Sequence, residues 1–176
     1  MSTIDLIILG ILHEKAMNAY ELARYIEDKQ VYRLLKISQP AVYKNCKRLF
    51  KSGYLSGEKV RQGENPEKVI YKVSKKGKDY FYELMEHFSR QVQPFYFDFN
   101  TFIWNMNKLK PDKAFAMLQE LHAGLLQWKE WIIQHEQEAT LAPFHIRIIV
   151  KQYRMILVTL VEWVEEVLHD FKKGIK

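Results

Sequence analysis

Ser-Gln-Pro-Ala-Val-Tyr-Lys-Asn-Cys-Lys-Arg-Leu-Phe-Lys-Ser-Gly, residues 38–53, carries a helix start and a helix stop in the right order. Ser38 is of a type that caps a helix N-terminus, Pro40 suits a first turn where an amide hydrogen has no partner, and Gly53 suits a left-handed residue that closes a helix. Between them Val42, Cys46, Leu49 and Phe50 recur at helical spacing and predict a face packed on a core. Gln39, Tyr43, Lys44, Lys47 and Lys51 fall on the other side, which holds cations and no acid. An ordinary solvated face mixes both signs and gains from pairs four residues apart. A cationic, hydrogen-bonding face instead suits the major groove of double-stranded DNA, with lysines on phosphates and Gln39 and Tyr43 toward base edges or backbone. The plain alternative is a surface helix whose basic residues are unpaired by accident.

Charge divides along the chain in the same sense. Residues 1–78 hold 16 Lys and Arg against 8 Asp and Glu, whereas residues 79–176 hold 11 against 13, so the whole excess of +6 comes from the N-terminal part. A basic half beside a weakly acidic one points to a polyanion partner for the first and a different task for the second. The 176 residues and 48% hydrophobic content are those of a globular chain with a real core. Its apolar stretches, 155–161 among them, fall far short of the ~20 residues that span a bilayer. Asp5 interrupts the apolar N-terminal segment that a cleavable leader would need, so no membrane partner and a cytoplasmic location are expected. The single cysteine, Cys46, cannot form an internal disulfide and is expected to be a small core residue.

Working outward, residues 3–12 are apolar on nearly every side, as in a helix that is buried or shared with a partner. Asn18 stands three residues before Glu21, the spacing of a capping box, and predicts a helix over 19–28 with Leu22, Ala23 and Ile26 inward. A short link follows. After Gly53 the period turns to alternation, predicting strands at 54–61 and 68–73 around a polar turn at 62–67. Ser74 caps a further helix through Tyr80, Phe81, Leu84, Met85 and Phe88. Three helices, a hairpin and a helix make a winged helix-turn-helix with a two-stranded wing.

The opening Leu9-Gly10-Ile11-Leu12 belongs to a longer pattern: Ala19-Tyr20-Glu21-Leu22, Ser38 with Ala41-Val42-Tyr43, Lys47-Arg48-Leu49, Gly53-Tyr54-Leu55, and Pro66, Lys68 and Tyr71 on the wing. In order and spacing, residues 4–78 resemble the PadR family of transcriptional regulators. The chain departs from that pattern at Leu34 and Leu35, at Pro40 or Ala41, and at Gly63, so base specificity is not carried over. DNA contacts are expected from Ser38, Gln39, Ala41, Tyr43, Lys44, Lys47, Arg48 and Lys51, and from Arg61, Gln62, Asn65 and Lys68 on the wing.

From residue 94 the chain becomes densely aromatic. Helices are predicted from Pro111 to about Glu138 and from about Pro143 to Phe171, the second with an apolar seam from Ile146 to Leu168. So much apolar helix without a sheet is most simply buried against a second copy; an intramolecular bundle is the alternative. The layout resembles the branch of the family with a larger helical C-terminal domain, AphA-like, in which that domain forms the homodimer. Tryptophans 104, 128, 131 and 163 leave two readings open: a pocket for a small aromatic effector, as some relatives have, or core and interface packing.

The expected fold is thus mainly α, with a DNA-binding domain and its linking helix at 1–92 and a C-terminal α-helical dimerisation domain at 93–176. Glu165-Glu166 and Glu136 with Glu138 carry no pocket signature, and neither a Ser-His-Asp order, zinc spacing nor phosphate-cradling glycine loop is present. The chain is therefore expected to have no catalytic, cofactor-binding or metal-binding residues. A dimeric DNA-binding regulator, read as a repressor, is the function expected. The alternative is a winged-helix protein-protein interaction module without specific DNA binding.

Overall fold

The computed structural model describes residues 2–61, 68–92, 94 and 96–174, which fall into two compact units, Met1–Gln93 and Pro94–Lys176.

In the first unit, helix α1 (Thr3–Glu14) starts on Ser2, whose hydroxyl accepts from the Asp5 amide. Helix α2 (Ala19–Asp28) starts on a complete capping box between Asn18 and Glu21, with bonds of 3.0 and 3.1 Å. The expected link after it contains a single helical turn, α3 (Val31–Leu34), entered through Gln30 in the left-handed region at φ 50°. Helix α4 (Gln39–Lys51) has Pro40 in its first turn. At its end Gly53, at φ 77°, places its amide 3.1 Å from the Phe50 carbonyl, while the Tyr54 amide donates to the Leu49 carbonyl at 2.9 Å. That bond pair satisfies carbonyls the helix would otherwise orphan, and a residue with a Cβ is strained at that φ.

The chain then forms β1 (Leu55–Val60) and β2 (Lys68–Val73), antiparallel, with Leu55 opposite Val73 and Val60 opposite Lys68. Met17 bridges to Tyr71 on the other side of β2, tying the entry of α2 to the sheet. Helix α5 (Lys75–Arg90) starts on Ser74, which accepts from the Gly77 amide and donates to the Gly53 carbonyl. Ile8, Leu9 and Leu12 of α1, Leu22 and Ile26 of α2, Val42, Cys46 and Leu49 of α4, Leu55 and Leu84 share one core. Cys46 is buried, as its position on the apolar face of α4 implied.

The second unit has a short helix α6 (Asn100–Asn105) that the aromatic segment did not announce, then α7 (Pro111–Glu138) and α8 (Phe144–Lys172) joined by a 3-10 turn at Ala139–Leu141. Phe115 against Phe171, His122 against Glu165 and Glu136 against Arg154 show that the two long helices run antiparallel. Their buried side chains are Ala114 and, seven apart, Leu118, Leu125 and Ile132 on α7, and Val150, Leu157, Val161 and Val164 on α8. The rest of the seam, including Ile149, Tyr153, Ile156, Leu160, Val167 and Leu168, is only half-buried, and Ile146 is exposed. Two helices cover only one stripe of each other, so a broad apolar face exceeds what the hairpin can bury. No described helix is long and apolar enough to cross a membrane.

Candidate nucleic-acid interface

Helix α4 is anchored by one face and presents the other. Val42, Cys46 and Leu49 are fully buried, and burial pushes the Cys46 thiol up to about 12. Gln39, Tyr43, Lys44, Lys47 and Lys51 are exposed, Tyr43 at 44%. Among the described residues none of these three lysines forms an ion pair. Three uncompensated ammonium groups along one helix raise the local positive potential, which attracts a polyanion and releases its counterions on contact.

Two positions, Ser38 and Phe50, differ from the sequence expectation, and two more, Ala41 and Arg48, make bonds it did not announce. Ser38 sits at the N-cap but its hydroxyl makes no capping bond, so the first turn starts on backbone geometry and Pro40. Phe50, expected inward, is 41% exposed and meets Tyr71 edge-on at 5.7 Å; the core at that end of the helix is already closed by Leu49 and Leu55. Ala41 is half-buried, and its carbonyl accepts from Asn45 Nδ2 at 2.7 Å. Arg48, grouped with the DNA-facing residues, turns to the side and donates to Asp5 of α1 and, at 3.0 Å, to Asn45 Oδ1.

Asp5 is the residue that sequence reasoning missed, having been taken only as a break in an apolar run. It is 1% exposed, accepts from Arg48 on one oxygen and from the Tyr80 hydroxyl at 3.3 Å on the other, and so joins α1, α4 and α5. Burial, then the Asp5 charge, push the Tyr80 hydroxyl above its usual range, which keeps its proton available for that bond. Tyr80 also stacks on Tyr54 at 4.4 Å, beneath the Lys76 ammonium. The available signal was a lone acid in an otherwise apolar helix: such a group must find a cation or donors when buried. Glu27 was missed too; its carboxylate accepts from Gln39 Nε2 at 2.6 Å.

On the hairpin, Arg61 is exposed just past β1 and Lys68 is exposed at the start of β2. Gln62 and Asn65 lie outside the described residues. A shallow groove of about 210 Å³ lies between the start of α2 and β2, lined by Asn18, Ala19, Tyr20, Lys68, Val69 and Tyr71. It is smaller than the ~300 Å³ at which small-molecule pockets begin. Among the described residues no group of acids, histidines and cysteine could hold a metal ion.

Residues 8–83 match the family model of the transcriptional regulator PadR-like family. No curated protein matches the chain. Several solved structures are similar over nearly the full length. Bacillus subtilis PadR in complex with operator DNA has a TM-score of 0.81 at 15% identity, covering 97% of this chain and 98% of that one. The smu.1604c protein of Streptococcus mutans UA159 has a TM-score of 0.71 at 24% identity, covering 96% and 99%. The virulence activator AphA of Vibrio cholerae has a TM-score of 0.75 at 13% identity, covering 98% and 99%. At these identities the structural likeness concerns the fold: a PadR-like winged helix followed by long C-terminal helices.

Proposed function

We propose that this chain, whose residues 8–83 match the family model of PadR-like transcriptional regulators, is a repressor, without enzymatic activity, that binds a two-fold operator as a homodimer in the cytoplasm. The observation that carries the reading is the exposed face of α4, cationic through Lys44, Lys47 and Lys51 while the opposite face is locked in the core. Such a helix can enter a major groove without losing any packing. In this reading Lys44, Lys47 and Lys51 neutralise phosphates, Gln39 and Tyr43 reach base edges, and Ser38 and Ala41 lie close to the groove at the start of the helix. Arg61 and Lys68, with Gln62 and Asn65 between them, grip the backbone or minor groove beside it.

Dimerisation would run through α7 and α8. Their hairpin leaves Trp128, Phe144, Ile148 and Met155 exposed beside the half-buried seam, and contiguous exposed apolar residues mark a surface that a partner covers. A two-fold dimer presents two α4 helices to half-sites one helical turn or a multiple apart. A structure of Bacillus subtilis PadR holds p-coumaric acid, which supports a small aromatic effector for this chain as well.

Selection of bound sequences from random DNA by the full chain, followed by gel shifts at several salt concentrations, tests the reading. A two-fold consensus with binding that weakens steeply as salt rises is expected, together with a sedimenting mass of twice 21.1 kDa. Salt-insensitive binding without a consensus, or a monomer, would overturn it. Quenching of tryptophan emission by p-coumaric acid tests the effector separately.

A further inference from the structure

Glu27 stands in the last turn of α2 and Gln39 in the first turn of α4, and Gln39 Nε2 donates to Glu27 Oε2 at 2.6 Å. An ionised carboxylate only accepts, so the amide nitrogen of Gln39, and not its oxygen, must face it. The bond therefore sets which way the amide points. It leaves Gln39, an exposed residue of the cationic face, with its carbonyl oxygen and one N–H for another partner.

We propose that Glu27 is a positioning residue that presets the Gln39 amide to read adenine, and to reject guanine, in the major groove of a bound site. The inference rests on the reading of this chain as a sequence-specific DNA binder. Adenine shows a donor at N6 and an acceptor at N7, which match a glutamine offering one acceptor and one donor. Guanine shows acceptors at both O6 and N7. It would need both amide hydrogens, one of which Glu27 holds, and would set O6 against the free Gln39 oxygen. The Glu27 charge adds to the discrimination, because it tightens its bond to the amide once water is excluded. Such presetting also lowers the rotamer entropy lost on binding.

The test uses the full chain and the site it selects from random DNA. Competition binding is measured with all four bases at each position of a half-site for the natural sequence, Gln39→Ala, Glu27→Ala and Glu27→Gln. Adenine is expected at one position, and Gln39→Ala should level the preference there. Glu27→Ala should cut the adenine-to-guanine ratio at that same position by about three- to tenfold, the worth of one hydrogen bond, and leave ratios elsewhere alone. Glu27→Gln places there a group that can donate as well as accept, so it no longer fixes which way the Gln39 amide points and should also lower the ratio at that position. Because Glu27 is exposed, neither variant threatens folding. A site whose preferences are untouched by Gln39→Ala, or a Glu27→Ala variant that changes affinity at all positions alike, overturns the proposal while leaving DNA recognition standing. Failure to select any site sinks both.

Discussion

Arg48 of the exposed helix α4 donates to Asp5 of α1, a carboxylate with 1% exposure, while its own side chain remains 45% exposed. The pair is therefore lopsided: one partner can return to water and the other cannot. Tyr80 shares the carboxylate, so the orientation of α4 is tied through one buried acid to both α1 and α5.

Removing the two partners should cost different amounts. Arg48→Met strands a buried carboxylate with only the Tyr80 hydroxyl beside it and should lower stability by about 3 kcal/mol. Asp5→Asn lets the arginine rehydrate and should cost about 1–2 kcal/mol. Urea unfolding of both variants reads the difference, and a larger loss for Asp5→Asn would show that the carboxylate is not as enclosed as described.

Lys44→Gln, Lys47→Gln and Lys51→Gln should each weaken binding to all DNA sequences alike and lower the slope of log affinity against log salt by about one unit. A change of base preference with an unchanged slope would move that residue from the phosphates to the bases. Stability should hardly change, because all three side chains are exposed and, among the described residues, outside any ion pair.

Two glycines at the junction of α4, β1 and α5 should fail for different reasons. A Cβ on Gly77 would stand 1.9 Å from the Tyr54 carbonyl oxygen, a backbone atom that also accepts from the Ser74 amide. Gly77→Ala must shift that junction and should cost about 2–3 kcal/mol. Gly53→Ala meets no atom within 4 Å but must hold φ 77°, which should cost about 1–2 kcal/mol. Thermal or urea melts that reverse this order would place the close contact elsewhere.

The Cys46 thiol, raised from 9.0 to about 12 by burial, should resist alkylating reagents near neutral pH and react at the rate at which the domain opens. Because the folded state holds the proton more tightly than the unfolded chain, the thiol's contribution to stability is complete below pH 9. It is lost as pH rises through about 12. Tyr80 and Tyr71, both raised by burial, act in the same direction. Rapid labelling of the native protein, or stability that rises through this alkaline range, would contradict the burial.

What could be read in advance was local. The capping box at Asn18 and Glu21, the stop at Gly53, Pro111 at the start of α7 and the step to alternation after residue 54 all act within a few residues. Helix α2, the hairpin strand Lys68–Val73 and helix α7 stand where those signals put them. The inward set Val42, Cys46 and Leu49 follows from the same cause, since periodicity decides which side of a helix is apolar before anything packs on it. The lysine face is legible for the same reason.

Partners across space were not legible. Arg48 and Asp5 are 43 positions apart and Tyr80 and Asp5 are 75 apart; the sequence alone places Arg48 among the cations of α4, and only packing turns it to a buried acid. Phe50 illustrates the limit of periodicity, because room in the core is set by Leu49, Leu55 and the sheet together. The short bridge from Met17 to Tyr71 and the bond from Glu27 to Gln39 arise only once α2 has been laid against β2 and α4. Sequence by itself determined the long helices, the hairpin and most of their faces and charge, because those depend on neighbours along the chain. Tertiary structure alone decided which charges are spent inside the fold and which remain for a partner, because desolvation and pairing depend on neighbours in space.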